Sequence, residues 1–178
     1  PRSASSCCGP TSGWPRPTRT LSSRDFVGEL VSHSAAELQS YGATLGRLLT
    51  EGLVIVLAGS LGVGKTTFVQ GLARGMGIAS PVTSPTFALV HLHEASPLSL
   101  VHCDFYRLES EAELEQLGVW EYFTPAHVVA IEWGQAYRAL LPKNCLQIEI
   151  SARQGERILH VCGPRTAALE EWVRNCRF

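Results

Sequence analysis

Lysine and aspartate are almost missing from this chain. Lys65 and Lys143 are the only lysines among 15 basic residues, and Asp25 and Asp104 the only aspartates among 16 acids. That leaves Lys65 as the one lysine placed for phosphate work and Asp104 as the one aspartate in the expected folded core. Bulk basicity is missing too: the net charge is −1, so no overall positive field advertises direct nucleic-acid binding. No run approaches the roughly 18 apolar residues of a membrane span. The start lacks the apolar core of a secretory signal. Six cysteines (Cys7, Cys8, Cys103, Cys145, Cys162, Cys176) form neither C-x-x-C pairs nor a small disulfide framework. They read as reduced, mostly buried thiols of an intracellular protein.

What is present is a phosphate-binding loop. Gly59-Ser60-Leu61-Gly62-Val63-Gly64-Lys65-Thr66 reads G-x-x-x-x-G-K-T without mismatch. The apolar run 53–58 before it suits a parallel strand covered on both faces. From Thr66 and Thr67 to Met76, apolar residues Phe68, Val69, Leu72 and Met76 recur at helical spacing, with Gly75 and Gly77 expected to end the helix. Glycine lets backbone N–H groups converge on phosphate oxygens with no Cβ in the way, and the following helix N-terminus adds partial positive charge. Lys65 is expected on the β- and γ-phosphates and the Thr66 hydroxyl on Mg²⁺.

Residues 1–24 are rich in Ser, Pro, Thr, Gly and Arg and hold no acid. They read as a disordered extension or a start placed too far upstream, with an Arg- and Ser-rich organelle transit peptide and a basic arm as alternatives. The expected division is a leader over 1–27 and a phosphate-loop ATPase domain over 28–178.

Further along, Ser34-Ala35-Ala36-Glu37 is a capping box opening a helix to about Thr50. The Pro- and hydroxyl-rich stretch 80–87 is a loop positioned to reach back over a nucleotide, with Thr86 as the candidate γ-phosphate and Mg²⁺ sensor, or else a plain connection. Residues 88–93 and 98–103 read as a hairpin. Its His91, His93 and His102 with Cys103 invite a zinc reading, but no pattern completes four ligands at usual spacing, so strand-face histidines are preferred. Asp104 at the hairpin's end suits water orientation or metal coordination, or else a cap or a partner for Arg107. Glu109, Glu111, Glu113 and Glu115 suit the solvated start of a short helix, a docking face for a basic partner being the alternative. The strand 128–132 ends in Glu132, a Walker B pattern with Glu for the commoner Asp, and Trp133 follows, beside the nucleotide or anchoring the sheet. A short helix over 137–141, an antiparallel pair 146–150 and 158–162, and a terminal helix 166–174 complete the reading. Asn144 and Asn175 are the only asparagines and neither precedes a lysine, so the guanine motif N-K-x-D is missing and adenine is expected. On residues alone, a small phosphate-loop kinase and a nucleotide-dependent binding module stay open beside an ATPase.

Taken in order, G-x-L-G-x-G-K-T-T-F at 59–68, S-P-T-F at 84–87, H-x-D-x-Y-R-L at 102–108, L-G-x-x-E-Y-F at 117–123, I-E-W at 131–133 and Leu141-Pro142 closely resemble the TsaE (YjeE) family. Its members are ATPases of tRNA threonylcarbamoyladenosine biosynthesis. The resemblance spans about residues 34–162. It implies an α/β phosphate-loop NTPase fold of three layers, with a central, mainly parallel sheet and flanking antiparallel strands. It also implies ATP and Mg²⁺ as cofactors, TsaD- and TsaB-like partners that perform the transfer, contact with tRNA only through that complex, no membrane, and a cytoplasmic (or, with a transit peptide, organellar) location. By motif, Lys65 contacts phosphates, Thr66 and Glu132 bind Mg²⁺, Asp104 is the H-x-D acid, Thr86 the switch threonine and Trp133 the aromatic beside the nucleotide. Many members carry Thr near the start of the first helix; this chain has Leu38, so an adenine contact there is not carried over.

Overall fold

A computed structural model describes residues 25–177. The leader-like residues 1–24, with Cys7 and Cys8, lie outside the described residues. The elements are β1 (Asp25–Ser32), α1 (Ala35–Leu48), β2 (Leu53–Ala58), α2 (Lys65–Gly75), β3 (Val90–His93), β4 (Ser99–Asp104), α3 (Glu111–Gln116), β5 (His127–Glu132), β6 (Leu146–Arg153), β7 (Glu156–Pro164) and α4 (Ala167–Asn175). One seven-stranded sheet runs β1-β7-β6-β2-β5-β4-β3. Its middle, β6-β2-β5-β4, is parallel, while β1-β7, β6-β7 and β3-β4 are antiparallel. This is the expected three-layer arrangement.

Alternation along the central strands builds the layers. Ile55 and Leu57 of β2 and Val128 and Ala130 of β5 join Leu38, Leu45, Phe68, Leu72 and Trp172 in one core. Val56, Val129 and Ile131 face the other way, onto Phe105, Leu114 and Tyr137. Because both faces are covered, β2 and β5 read as continuous apolar runs. The Trp172 indole caps the first layer, donating to the Tyr41 carbonyl at 2.8 Å and meeting Phe68 edge-on.

Helix α1 is capped by Ser34, whose Oγ accepts from Glu37 N at 3.1 Å, while the Glu37 carboxylate reaches one residue beyond the expected capping-box partner, to His33 N. Helices α1 and α2 then approach so closely that four positions admit no side chain. A Cβ at Gly71 would land on the Gln39 carbonyl, one at Gly75 on that of Ala43, and ones at Gly42 and Gly46 on those of Phe68 and Leu72. Gly75 is therefore inside the helix as a packing residue; the chain leaves α2 at Gly77, whose φ is +80°. We expect Gly71→Ala to lower stability by about 1–3 kcal/mol in chemical denaturation, although alanine is the better helix former, because two backbones must move apart.

Three other local readings change. β1 was not expected; it runs from Asp25, three residues before the expected start of the domain at 28. The short helix expected over 137–141 is a single 3₁₀ turn at Gly134–Tyr137, where Gly134 packs against Ile131 and Val56 with no room for a Cβ. The antiparallel pair is longer than its alternating segment, turning at Gln154 and Gly155, both with positive φ. Among the described residues no helix is long and apolar enough to cross a membrane.

Candidate functional site

The C-terminal ends of the parallel strands converge on the start of α2, where open α/β sheets place their ligands. β2 delivers the chain to Gly59 (φ +135°), and Gly64 (φ +115°) turns it directly into α2 at Lys65. Both values lie in the left-handed region that favours glycine. The neighbouring strand backs the turn: the Ile150 carbonyl of β6 occupies the space a Gly59 side chain would need.

Lys65 is only 4% exposed. Its ammonium donates to the carbonyls of Gly59 and Ser60 at 2.8 and 2.9 Å and lies 3.9 Å above the Trp133 ring centroid. Burial pulls the Lys65 pKa below the ordinary lysine range, against the pull of the Glu132 and Asp104 carboxylates in the other direction. A cation is thus enclosed inside the loop, among acceptors that phosphate oxygens would match. Ser60, Leu61 and Gly62 stay exposed at the mouth, and Thr66 and Thr67 form the first turn of α2.

Across β4 and β5, Asp104 and Glu132 are directly paired strand ends, each 3% exposed. They hold different partners. Glu132 Oε1 accepts from Thr66 Oγ1 at 2.7 Å and lies 2.9 Å from Nε2 of the fully buried His102. A carboxylate oxygen can only accept, so His102 meets it with Nε2–H, leaving Nδ1 buried without a partner. Asp104 Oδ2 accepts from Thr86 Oγ1 at 2.7 Å and Ser84 Oγ at 3.0 Å, and its Oδ1 from Tyr106 N at 3.0 Å. The loop expected to reach back over the site is thus anchored to the Asp104 carboxylate.

Trp133 sits at the tip of β5 in a left-handed conformation, φ 61°, with its N–H on the Leu57 carbonyl. A bulky residue held there costs on the order of 1–3 kcal/mol and marks a place where the surroundings dictate the backbone. Its ring faces Lys65 on one side and meets Tyr106 at 5.0 Å. Leu38, in contrast, is fully buried against Gly64 and offers no edge to a base.

The structure therefore gathers the loop residues 59–67 with Thr86, Asp104, Glu132 and Trp133 at one end of the sheet. It adds three side chains that sequence reasoning did not place there: Ser84 joins Thr86 on Asp104, Tyr106 covers Trp133, and His102 holds Glu132. Arg157, which with Arg107 is a candidate arginine finger by sequence, reaches the loop backbone, its Nε donating to Val63 O at 3.0 Å. His102 carried one usable signal: it is two residues before Asp104 on the same strand, hence on the same face. Arg107 points elsewhere, over the 91% exposed Phe87 ring. Among the described residues no group of three or more His, Cys, Asp or Glu side chains is placed to hold a metal ion. The hydroxyl and carboxylate oxygens of Thr66 and Glu132 fit Mg²⁺ instead, which takes few protein ligands and completes its shell with phosphate and water.

Known proteins resemble this chain in sequence and fold. Residues 32–159 match the family model described as "Threonylcarbamoyl adenosine biosynthesis protein TsaE". The chain is 42% identical over 120 residues to the tRNA threonylcarbamoyladenosine biosynthesis protein TsaE of Treponema pallidum, covering 67% of this chain and 88% of that one. It is 44% identical over 99 residues to the protein of the same name from Bacillus subtilis, covering 56% and 61%. The crystal structure of Bacillus subtilis YdiB superposes with a TM-score of 0.71 at 30% identity, covering 86% of this chain and 99% of that one.

Proposed function

The chain belongs to the TsaE family and its function lies in tRNA threonylcarbamoyladenosine biosynthesis; we propose that its part there is Mg²⁺-dependent ATP hydrolysis. The observation that carries this reading is the enclosed Lys65 ammonium beside the Thr66–Glu132 pair, a cation and an oxygen donor set held within one loop's width.

In phosphoryl transfer the protein supplies positioning and charge rather than covalent chemistry. The loop N–H groups and Lys65 would hold the β- and γ-phosphates, the ammonium exchanging its two carbonyl partners for phosphate oxygens. Thr66 and Glu132 would hold Mg²⁺, which when bound neutralises charge on the phosphate oxygens. Asp104 would hold the attacking water by accepting its hydrogen bond, with Thr86 and Ser84 keeping that carboxylate aimed. Water attacks the γ-phosphorus, the bond to the bridging oxygen breaks, and ADP and phosphate leave. Trp133 would shield the phosphates from solvent on the side away from the loop.

Hydrolysis here would act as a timer for TsaD- and TsaB-like proteins, which perform the transfer to the tRNA in the cytoplasm. The test is reconstitution of tRNA threonylcarbamoylation from those proteins and tRNA, with and without this chain, scored as modified nucleoside over many turnovers. Sustained modification should require it. Equal yields without it would overturn the reading, and ATP consumption that appears only with a small-molecule acceptor would point to a kinase.

A further inference from the structure

Beyond the parallel strand β6, the antiparallel strands β7 and β1 extend the sheet, and the β6–β7 hairpin touches the phosphate loop twice. The Ile150 carbonyl of β6 abuts Gly59, and Arg157 at the start of β7 lies over Val63 and Gly64. Arg157 is fixed there by register, facing Ser32 of β1 on one side and Ala152 of β6 on the other. Its Nε donates to Val63 O at 3.0 Å, and the same nitrogen lies 3.5 Å from where a Gly64 side chain would begin.

The peptide between Val63 and Gly64 is a rigid plane. In a trans peptide the C=O of one residue and the N–H of the next point in opposite directions. Holding Val63 O toward Arg157 therefore aims Gly64 N–H the other way, away from β7. Gly64 is free to rotate, with φ +115°, so the plane on its N-terminal side needs an external hold. The carbonyl also needs a donor, because Val63 is itself buried.

We infer that Arg157 is a positioning residue of the phosphate loop, a clamp that turns the Gly64 N–H toward a bound β-phosphate. The inference rests on the phosphate-loop reading of residues 59–66. It also assigns the β6–β7 hairpin a task in nucleotide binding rather than in sheet extension alone.

Two substitutions separate the clamp from the charge. Arg157→Gln keeps an N–H donor at the same bond distance from the backbone as Nε and removes the charge. Arg157→Lys keeps the charge and puts a methylene where Nε was. Titration calorimetry with ADP, using the full chain, reads the result. A hydrogen bond from a charged donor changes affinity by roughly tenfold or more. We expect the Lys variant to bind ADP about tenfold more weakly and the Gln variant to stay within about threefold of the parent. Melting of each variant without nucleotide should match the parent within a few degrees, so that a loss of binding is not a loss of fold. Retained affinity in the Lys variant, or equal losses in both variants, overturns the clamp. If the parent chain itself does not bind ADP, the phosphate-loop reading falls and the clamp with it; if the parent binds and only these variants behave otherwise, the clamp falls alone.

Discussion

Lys65→Met is expected to remove nucleotide binding while leaving the unliganded fold as stable as before, or more so. The buried ammonium makes two good hydrogen bonds and a ring contact, yet burial still pulls its pKa down. The sign follows. A lysine whose folded pKa lies below its unfolded value binds its proton less readily in the native state, so the charged form costs the fold stability at neutral pH. That cost is relieved only as pH rises toward the ordinary lysine range. Methionine keeps the stem and fills the space without the charge. Against ADP, losing a cation that meets two phosphates removes at least about two orders of magnitude in affinity. Thermal melting with and without MgADP reads both effects together: the midpoint of the apo variant should equal or exceed the parent's, and the nucleotide-induced rise should vanish. A variant that still gains stability from MgADP would sink the assignment of the loop.

The enclosed lysine also explains which parts of this molecule are legible in the chain. The loop, β2 and α2 are chemically over-determined: an apolar run, glycines at three left-handed positions and a helix-forming stretch all demand the same turn. β1 is the opposite case. Its inward positions include Gly28 and Ser32, so the alternation that marks a half-buried strand is broken, and its partner β7 lies more than a hundred residues away. The 3₁₀ turn after β5 depends on the left-handed Trp133, a backbone state that no propensity of tryptophan would suggest.

The site shows the same division. Lys65, Thr66 and Glu132 are legible from local patterns, each a residue at a strand end or a loop of known chemistry. What holds them is not. His102 and Glu132 are 30 residues apart, and only the parallel register of β4 on β5 brings them to 2.9 Å. Arg157 comes from 94 residues beyond Val63 on a strand outside the parallel core. First partners of a substrate follow from motif chemistry, whereas their supports come from strands adjacent only in the folded sheet.

The two strand-end carboxylates hold different partners, Glu132 the Thr66 hydroxyl and Asp104 the 84–86 hydroxyls, so substitutions at them should separate. Glu132→Gln should spare nucleotide affinity to within a few-fold yet cut Mg²⁺-dependent turnover by at least about a hundredfold. The amide oxygen can still accept from Thr66 Oγ1 and His102, so the local packing survives. What it loses is the negative charge beside the Thr66 hydroxyl, where the metal would be held. ADP binding measured at increasing Mg²⁺ separates this from simple misfolding: the parent should bind more tightly as Mg²⁺ rises, and the Gln variant should show no such gain. Asp104→Asn makes the contrast, since Asp104 is engaged by Ser84, Thr86 and the Tyr106 amide and lies with the 80–87 loop rather than with Thr66. Its turnover should fall too, but its Mg²⁺-dependent gain in ADP affinity should remain. If the two variants lose that gain equally, the metal is shared between both carboxylates; if Glu132→Gln hydrolyses ATP at the parent rate, Glu132 does not serve the metal at all.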